Sequence, residues 1–314
     1  MDDTVDTLLR MLPEKEQEMG SESTQLADYL TVLALTLYHE SRFPEAEAMF
    51  HRALSIREKV LAVDHADIGV SLNHLGMVML AQGHFSEAEP LFRRALTIQE
   101  RALGFEHISL AAGLNNLAEL YRILGRPEPA EKLYRRALTI RERHLGSDHP
   151  EVAEVLNNLG LLYYDLGRNA DAEPLYRRVL AIQEKYLGKD HPIVATTLSN
   201  LAALFTDKES FDKAEPLHIR ALSIRERILS TEHPKVAESL NNLGWLYHQR
   251  GNYSRAESMY SRAIQIWERS LGPEHSNVAA CLENYADLMR KTDREIDAVA
   301  LEQRVYVIRR KNAH

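Results

Sequence analysis

Residues 145–160 read LGSDHPEVAEVLNNLG, and close versions of this stretch return along almost the whole chain. The interval is 42 residues: His65, His107, His149, His191, His233 and His275 follow it without a slip. The same spacing places Leu75–Gly76, Leu117–Ala118, Leu159–Gly160, Leu201–Ala202, Leu243–Gly244 and Tyr285–Ala286. A chain built this way is a stacked array of one supersecondary unit, each copy touching only its neighbours. Such an array implies a binding scaffold and leaves the partner unnamed.

Outward from that stretch, each repeat reads as a helical hairpin. In the fourth, 150–166 is the first helix and 170–187 the second, with Gly167 between them. Leu156, Leu159, Gly160 and Tyr163 lie at i, i+3, i+4 and i+7, which is one face of a helix, and Ala172, Tyr176, Val179 and Leu180 repeat the pattern. Gly104, Gly146, Gly188 and Gly272 follow the last Leu of a second helix, where a left-handed cap is cheapest as glycine. Pro150, Pro192 and Pro234 fall at the first position of the next helix. Pro90, Pro174 and Pro216 lie more than a turn inside the second helices, which predicts a late start or a kink. The hairpins span approximately 24–63, 64–105, 106–147, 148–189, 190–231, 232–273 and 274–314. Before them, residues 1–23 hold a short apolar stripe (Val5, Leu8, Leu9, Leu12) that Pro13 is expected to stop, giving a capping helix or a flexible tail.

Composition narrows the class. A formal charge of −8 carries no global signal for nucleic acid. The single cysteine, Cys281, excludes an internal disulfide and fits a reducing compartment. The acidic start lacks the positive region of a secretory signal. The most apolar stretch, 26–38, is shorter than the roughly 20 residues needed to span a bilayer. The expectation is a cytoplasmic protein with no membrane or nucleic-acid partner.

Gly244, Tyr247, Gly251, Tyr253, Ala256, Tyr260 and Ala263 carry the small–aromatic–glycine–aromatic–alanine order of the tetratricopeptide repeat, which this sequence resembles. The long period and the LGxxHPxVA linker resemble the subtype found in kinesin light chains and nephrocystin-3-like proteins. That resemblance implies an all-α, right-handed superhelical solenoid of about seven hairpins, with protein or peptide partners and no cofactor. Departures are also visible. The heptad coiled coil of kinesin light chains has no counterpart in the residues before the repeats. Glu209 stands where glycine is usual, and Glu295 and Glu302 stand where aromatics belong, suggesting a water-facing last helix.

Comparing repeats with one another separates frame from variation. Asn116, Asn158, Asn200, Asn242 and Asn284, with His74 in the second repeat, are expected to bond backbone groups of the adjoining linker. One residue earlier, Thr31, Asn73, Asn115, Asn157, Ser199, Asn241 and Glu283 form a polar row that the resemblance places on the concave face. Amides there could hold an extended peptide through its backbone, the alternative being a merely solvated face. Neighbouring positions vary freely: Met77, Glu119, Leu161, Ala203, Trp245 and Asp287, then Tyr38, Leu80, Arg122, Tyr164, Thr206, His248 and Arg290. Trp245 is the best single anchor candidate, and Trp267 is read as a second exposed aromatic.

Charge does not decide the ligand. A basic ladder of Lys59, Arg101, Arg143, Lys185, Arg227 and Arg269 suits an acidic peptide, or equally the C-terminal ends of helices. The first helices contribute Asp28, Glu119, Glu154, Asp165, Asp207, Glu238, Glu283 and Asp287 on the other side of the balance. Arg52, Arg94, Arg136, Arg178, Arg220, Arg262 and Arg304 recur in every hairpin; in most a Glu lies five residues earlier and another helix lies nearby, so structural pairing is their expected role. The linker histidines occur singly, so capping rather than metal binding is their expected role. No phosphate loop, HExxH or nucleophile motif is present, so no catalytic residue is assigned. The reading is a non-enzymatic interaction scaffold with a peptide groove. A regulatory receptor for a small or peptide signal is the alternative, and self-association through an exposed end stays open.

Overall fold

The computed structural model describes residues 2–312; Met1, Ala313 and His314, at the ends of the expected tail and last hairpin, lie outside it. Among the described residues there are fifteen α-helices and no strand. They are α1 (Asp2–Met19), α2 (Thr24–His39), α3 (Phe43–Val60), α4 (Ala66–Ala81), α5 (Phe85–Leu103), α6 (Leu110–Ile123), α7 (Pro127–Leu145) and α8 (Pro150–Asp165). There follow α9 (Asn169–Leu187), α10 (Pro192–Asp207), α11 (Phe211–Leu229), α12 (Pro234–Gln249), α13 (Tyr253–Leu271), α14 (Ser276–Lys291) and α15 (Glu295–Asn312). The chain forms two compact units, residues 1–162 and 163–314. In each, sequence neighbours pack pairwise, as α4 on α5 in the first unit and α12 on α13 in the second.

The linker histidines set the helix starts. In all six, Nδ1 accepts from the backbone N–H two residues on, from Asp67, Ser109, Glu151, Ile193, Lys235 and Asn277. An imidazole therefore does the work usually given to Ser or Asp, as expected for a linker-capping residue. At the hairpin turns the chain enters the left-handed region, at Gly83 (φ 79°) and Gly251 (φ 77°), and Glu209 takes the same conformation with φ 55° at the position where glycine is missing. Each such turn closes a long bond, for example Arg126 N–H to the Tyr121 carbonyl at 2.8 Å.

Of the two outcomes expected at the internal prolines, the late start does not occur. The helices holding Pro90, Pro174 and Pro216 begin at Phe85, Asn169 and Phe211, with no late start. The carbonyls the prolines free belong to Ser86, Ala170 and Asp212, all on exposed residues where water can take the bond. Pro13 likewise does not stop its helix, since α1 runs through it to Met19.

Helix α1 keeps the register of the second helices. Arg10, Glu16 and Ser23 stand 42 residues before Arg52, Glu58 and His65, and Ser23 caps α2 through its side chain as the histidines cap later helices. Val5 is fully buried, Leu12 and Met19 pack on the Leu26–Leu30 cluster, and the Tyr29 hydroxyl donates to the Leu8 carbonyl at 2.6 Å.

The recurring arginines pair structurally, and their partners lie on the neighbouring second helix. Arg94, Arg136, Arg220 and Arg262 bind Glu58, Glu100, Glu184 and Glu226, each on the preceding second helix, at 2.7, 2.5, 2.6 and 2.6 Å. Arg52 does the same with Glu16 of α1 at 2.6 Å. The tie runs between repeats because a residue and its partner 36 positions earlier face each other on adjacent second helices.

Candidate functional site

Three of the constant asparagines, Asn116, Asn158 and Asn284, are rungs of an amide ladder. The Asn116 side-chain N–H donates to Asn73 Oδ1 at 3.2 Å, and Asn158 to Asn115 Oδ1 at 3.1 Å, both in the first unit. In the second unit Asn284 donates to Asn241 Oδ1 at 3.3 Å. The expected linker backbone is not the partner in these rungs: each asparagine bonds the polar residue of the preceding repeat. Two rows read separately in the sequence are thus one structure, and their roles divide differently from the expectation. Asn73 and Asn115 are buried with their carbonyl oxygens engaged, whereas Asn116 and Asn158 are half-buried. Asn157 is half-buried and lies 3.5 Å from the Asn158 carbonyl oxygen. Elsewhere in the row Ser199 is buried with its hydroxyl on the Ala195 carbonyl, Thr31 bonds the Ala27 carbonyl, and Glu283 pairs with Arg309 at 2.7 Å.

In the first unit, the variable positions beside this ladder include Arg122 and Leu161, both half-buried. Arg122 grips Glu119 with two nitrogens at 2.9 and 2.8 Å, and Glu119 also accepts from the Tyr134 hydroxyl at 2.7 Å. Burial pushes the Glu119 carboxyl up, but the bonds from Arg122 and Tyr134 outweigh it and hold the group below the usual carboxylate value. This is a preset charged cluster in which both partners are already matched.

In the second unit Trp245 is 36% exposed and Tyr164 is half-buried. Burial, together with a hydrogen bond to Asp207, pushes the Tyr164 phenol up. His248 is buried rather than open to a ligand. Its ring meets Trp245 edge-on at 5.8 Å and Tyr253 at 5.9 Å, and its Nε2 lies 3.6 Å from Asp287. Burial lowers its pKa in spite of the Asp287 charge, so it stays neutral and backs the indole as a packing surface. Trp267, expected to be exposed, is buried. It occupies the register of Arg57, Gln99, Arg141 and Arg225, all of them buried.

That register is the strongest feature the sequence reading passed over. Arg225 is 1% exposed and donates to Ser239 Oγ at 2.7 Å and to the Lys235 carbonyl at 3.2 Å, with Glu238 at 3.1 Å. Arg57 does likewise with Ser71 at 2.5 Å and Asp28 at 2.6 Å, and Arg141 with Glu154 at 2.8 Å. Gln183 instead accepts from Thr197 at 2.7 Å. At Arg57, Gln183 and Arg225 a hydroxyl stands 14 residues on, in Ser71, Thr197 and Ser239, and that was the available signal.

The basic ladder meets the linkers. Lys59 pairs with Glu22 at 2.7 Å, Arg227 with Asp190 at 2.7 Å, Arg269 with Glu232 at 3.2 Å, and Arg143 with Glu106. Lys185 lies 5.4 Å from the Tyr186 ring, and Arg101 is exposed. Among the described residues no group of three or more His, Cys, Asp or Glu could hold a metal ion, and no helix is long and apolar enough to cross a membrane.

The family model described as tetratricopeptide repeat matches residues 25–101, 109–185, 151–215, 193–266 and 255–311. Among solved structures, the chain is similar to a Podosopora anserina putative kinesin light chain with nearly identical TPR-like repeats. That chain is 25% identical, with 67% of this chain and 99% of that one covered and a TM-score of 0.59. BtubC (BKLC) from P. vanneervenii is 24% identical over 84% of this chain and 92% of its own, with a TM-score of 0.59. A Rap protein complexed with competence and sporulation factor is 16% identical over 97% of this chain and 80% of its own, with a TM-score of 0.67. No curated protein matches the sequence.

Proposed function

This chain belongs to the tetratricopeptide repeat family, and we propose that it is a non-enzymatic scaffold holding an extended peptide segment of a protein partner against its first helices. The observation that carries this reading is the exposed indole of Trp245, held from behind by the neutral His248 ring beside the Asn241–Asn284 rung. A large aromatic fixed in place offers contact area at low entropic cost. Asn116 and Asn158 are half-buried, and each side-chain nitrogen carries a second N–H besides the one in its rung, a donor suited to the carbonyls of an extended backbone. Within the second unit Tyr164 and Asn241 join Trp245 in the proposed contacts, with His248 as support; within the first unit Arg122 and Leu161 are the proposed contacts, with Asn73 and Asn115 as support.

The alternative of a receptor for a signalling factor draws on the likeness to the Rap complex, which at this identity speaks for the fold alone. Peptide-display selection on the purified chain, counter-screened with Trp245→Ala, tests the proposal. We expect an enriched motif whose affinity drops at least about tenfold in the variant, the size of a binding hot spot. Absence of enrichment, or equal binding by the two proteins, would overturn it.

A further inference from the structure

Glu119 and Asp287 occupy one register of the first helices, where the repeats between them carry Leu161, Ala203 and Trp245. Their surroundings differ. Glu119 is matched by Arg122, three residues on, and by the Tyr134 hydroxyl of the following helix. The counterparts of those two partners in the last repeat are Arg290 and Glu302. Arg290 grips Glu302 through both terminal nitrogens, reaches Glu295 at 3.3 Å, and makes no ion pair with Asp287. A carboxylate where the other repeat has tyrosine thus draws the arginine away and leaves Asp287 unmatched.

What stands beside Asp287 is the His248 ring, with Nε2 at 3.6 Å. Burial keeps that ring neutral, so it does not balance the carboxylate. Among the described residues no lysine or arginine lies within ion-pair distance of Asp287, the exposed Lys291 one turn on included, and the Asp287 side chain is 54% exposed. The same imidazole meets the Trp245 indole edge-on at 5.8 Å. An open aromatic and an unmatched carboxylate therefore flank one buried ring. Tyr260, in the register of Tyr134, has its hydroxyl buried without a hydrogen-bond partner, because the position that supplies Glu119 there is Trp245 here.

We propose that Trp245 and Asp287 form a subsite for an arginine side chain of the peptide partner, its guanidinium lying on the indole and its edge turned to the carboxylate. This subsite presumes the peptide scaffold proposed above and gives its ligand a positive charge at one position. The face of an indole attracts a cation, and Trp does so best among the aromatic side chains. A guanidinium is planar and weakly hydrated, so it can stack on a ring while its N–H groups fork onto a carboxylate; an ammonium is a compact, strongly hydrated charge and does only one of these well. An acidic side chain at the same place would face Asp287 and gain nothing from the indole.

Titration of N-acetylarginine amide into the isotope-labelled full chain, followed by NMR, reads the site with a defined probe. The chain has two tryptophans, so two indole N–H signals are followed, and the buried Trp267 serves as the internal reference. The expected result is a saturable shift of the Trp245 signal at millimolar probe with Trp267 unmoved. The citrulline derivative, of the same shape without the charge, should bind at least about tenfold more weakly, as should arginine to Asp287→Asn. Glu302→Tyr, which restores the residue of Tyr134, should return Arg290 to Asp287 and weaken binding with unchanged helical circular dichroism. No saturable shift, equal binding of arginine and citrulline, or undiminished binding by folded Asp287→Asn would each overturn the subsite, and unweakened binding by folded Glu302→Tyr would overturn the part given to Arg290. The display selection separates the two levels: enriched peptides that need Trp245 and contain no arginine overturn the subsite and leave the scaffold standing, whereas no enrichment overturns both.

Discussion

Replacing Arg225 provides the sharpest test of how the repeats are held together, because the chain contains its own control. Arg225→Ala removes a guanidinium that donates to Ser239 at 2.7 Å and to the Lys235 carbonyl at 3.2 Å. A hydrogen bond to a charged group is worth about 1.5–3 kcal/mol, and a buried partner left alone costs about 1–3 kcal/mol. Ser239 is fully buried, so it is stranded, whereas the half-buried Glu238 can turn to water and adds little. The sum is about 3–4 kcal/mol, since such terms are not additive. Arg225→Gln should behave differently. Gln183 stands at this register one repeat earlier and accepts from Thr197 at 2.7 Å, the counterpart of Ser239. The glutamine variant should therefore lose only about 1 kcal/mol, having exchanged a charged bond for a neutral one.

Urea unfolding followed by tryptophan fluorescence reads this directly, because Trp245 and Trp267 both lie in the second unit. A difference of about 2 kcal/mol between the variants is about 1 M urea in midpoint at a slope near 2 kcal/mol/M. If Arg225→Gln falls as far as Arg225→Ala, the charge and not hydrogen-bond satisfaction holds the site, and the reasoning fails.

Other outcomes follow from the same contacts. Burial, helped by the nearby Arg225, lowers the His218 pKa to about 4, against 6.5 unfolded. The unfolded chain thus binds more protons between those values, so stability is whole above about pH 6.5 and falls as pH drops toward about 4, by at most about 3 kcal/mol. His218→Phe, the residue at this register in Phe50 and Phe92, should flatten the fall in urea midpoint measured from about pH 7.5 to about pH 5. Burial pushes the Cys281 thiol up, and its Sγ–H faces the Tyr260 carbonyl at 3.8 Å, so maleimide labelling of the native protein should be far slower than in urea. Asn158→Ala should cost about 1–3 kcal/mol by stranding Asn115 Oδ1, and a double-mutant cycle with Asn115→Ala should show coupling of at least about 0.5 kcal/mol in thermal or urea unfolding.

The helical hairpins were legible because their signals are local. Gly83, Pro150 and the linker histidines act within two or three residues of their own backbone, and the structure puts them where that chemistry requires. What sequence could not show was which repeat a polar side chain would choose. Asn116 reaches a partner 43 residues back and Arg94 one 36 back, distances that depend on how adjacent helices lie. Trp267 was misread for a related reason. Arg and Gln at its register look like solvent-facing residues until their buried hydroxyl partners are seen. Helix α1 was obscured by Pro13, although Arg10, Glu16 and Ser23 already kept the repeat spacing.

These inter-repeat ties also limit where recognition can reside. A side chain committed to a rung, or to a buried hydroxyl as Arg225 is, cannot be exchanged for an apolar one without stranding its partner, so these positions are constrained by cost rather than by ligand. The linker charge pairs are exposed, contribute little, and are already neutralised in Arg143, Arg227 and Arg269, which weakens the argument for an acidic ligand. The free positions are those one turn further along the first helices, where Leu161 and Trp245 differ while their neighbours do not. Exchanging Trp245 for the Ala found one repeat earlier at Ala203 touches no rung of the ladder. It should leave the urea midpoint of the second unit nearly unchanged while removing peptide binding. A large fall in stability instead would make the indole a packing residue and return the binding face to the half-buried amides.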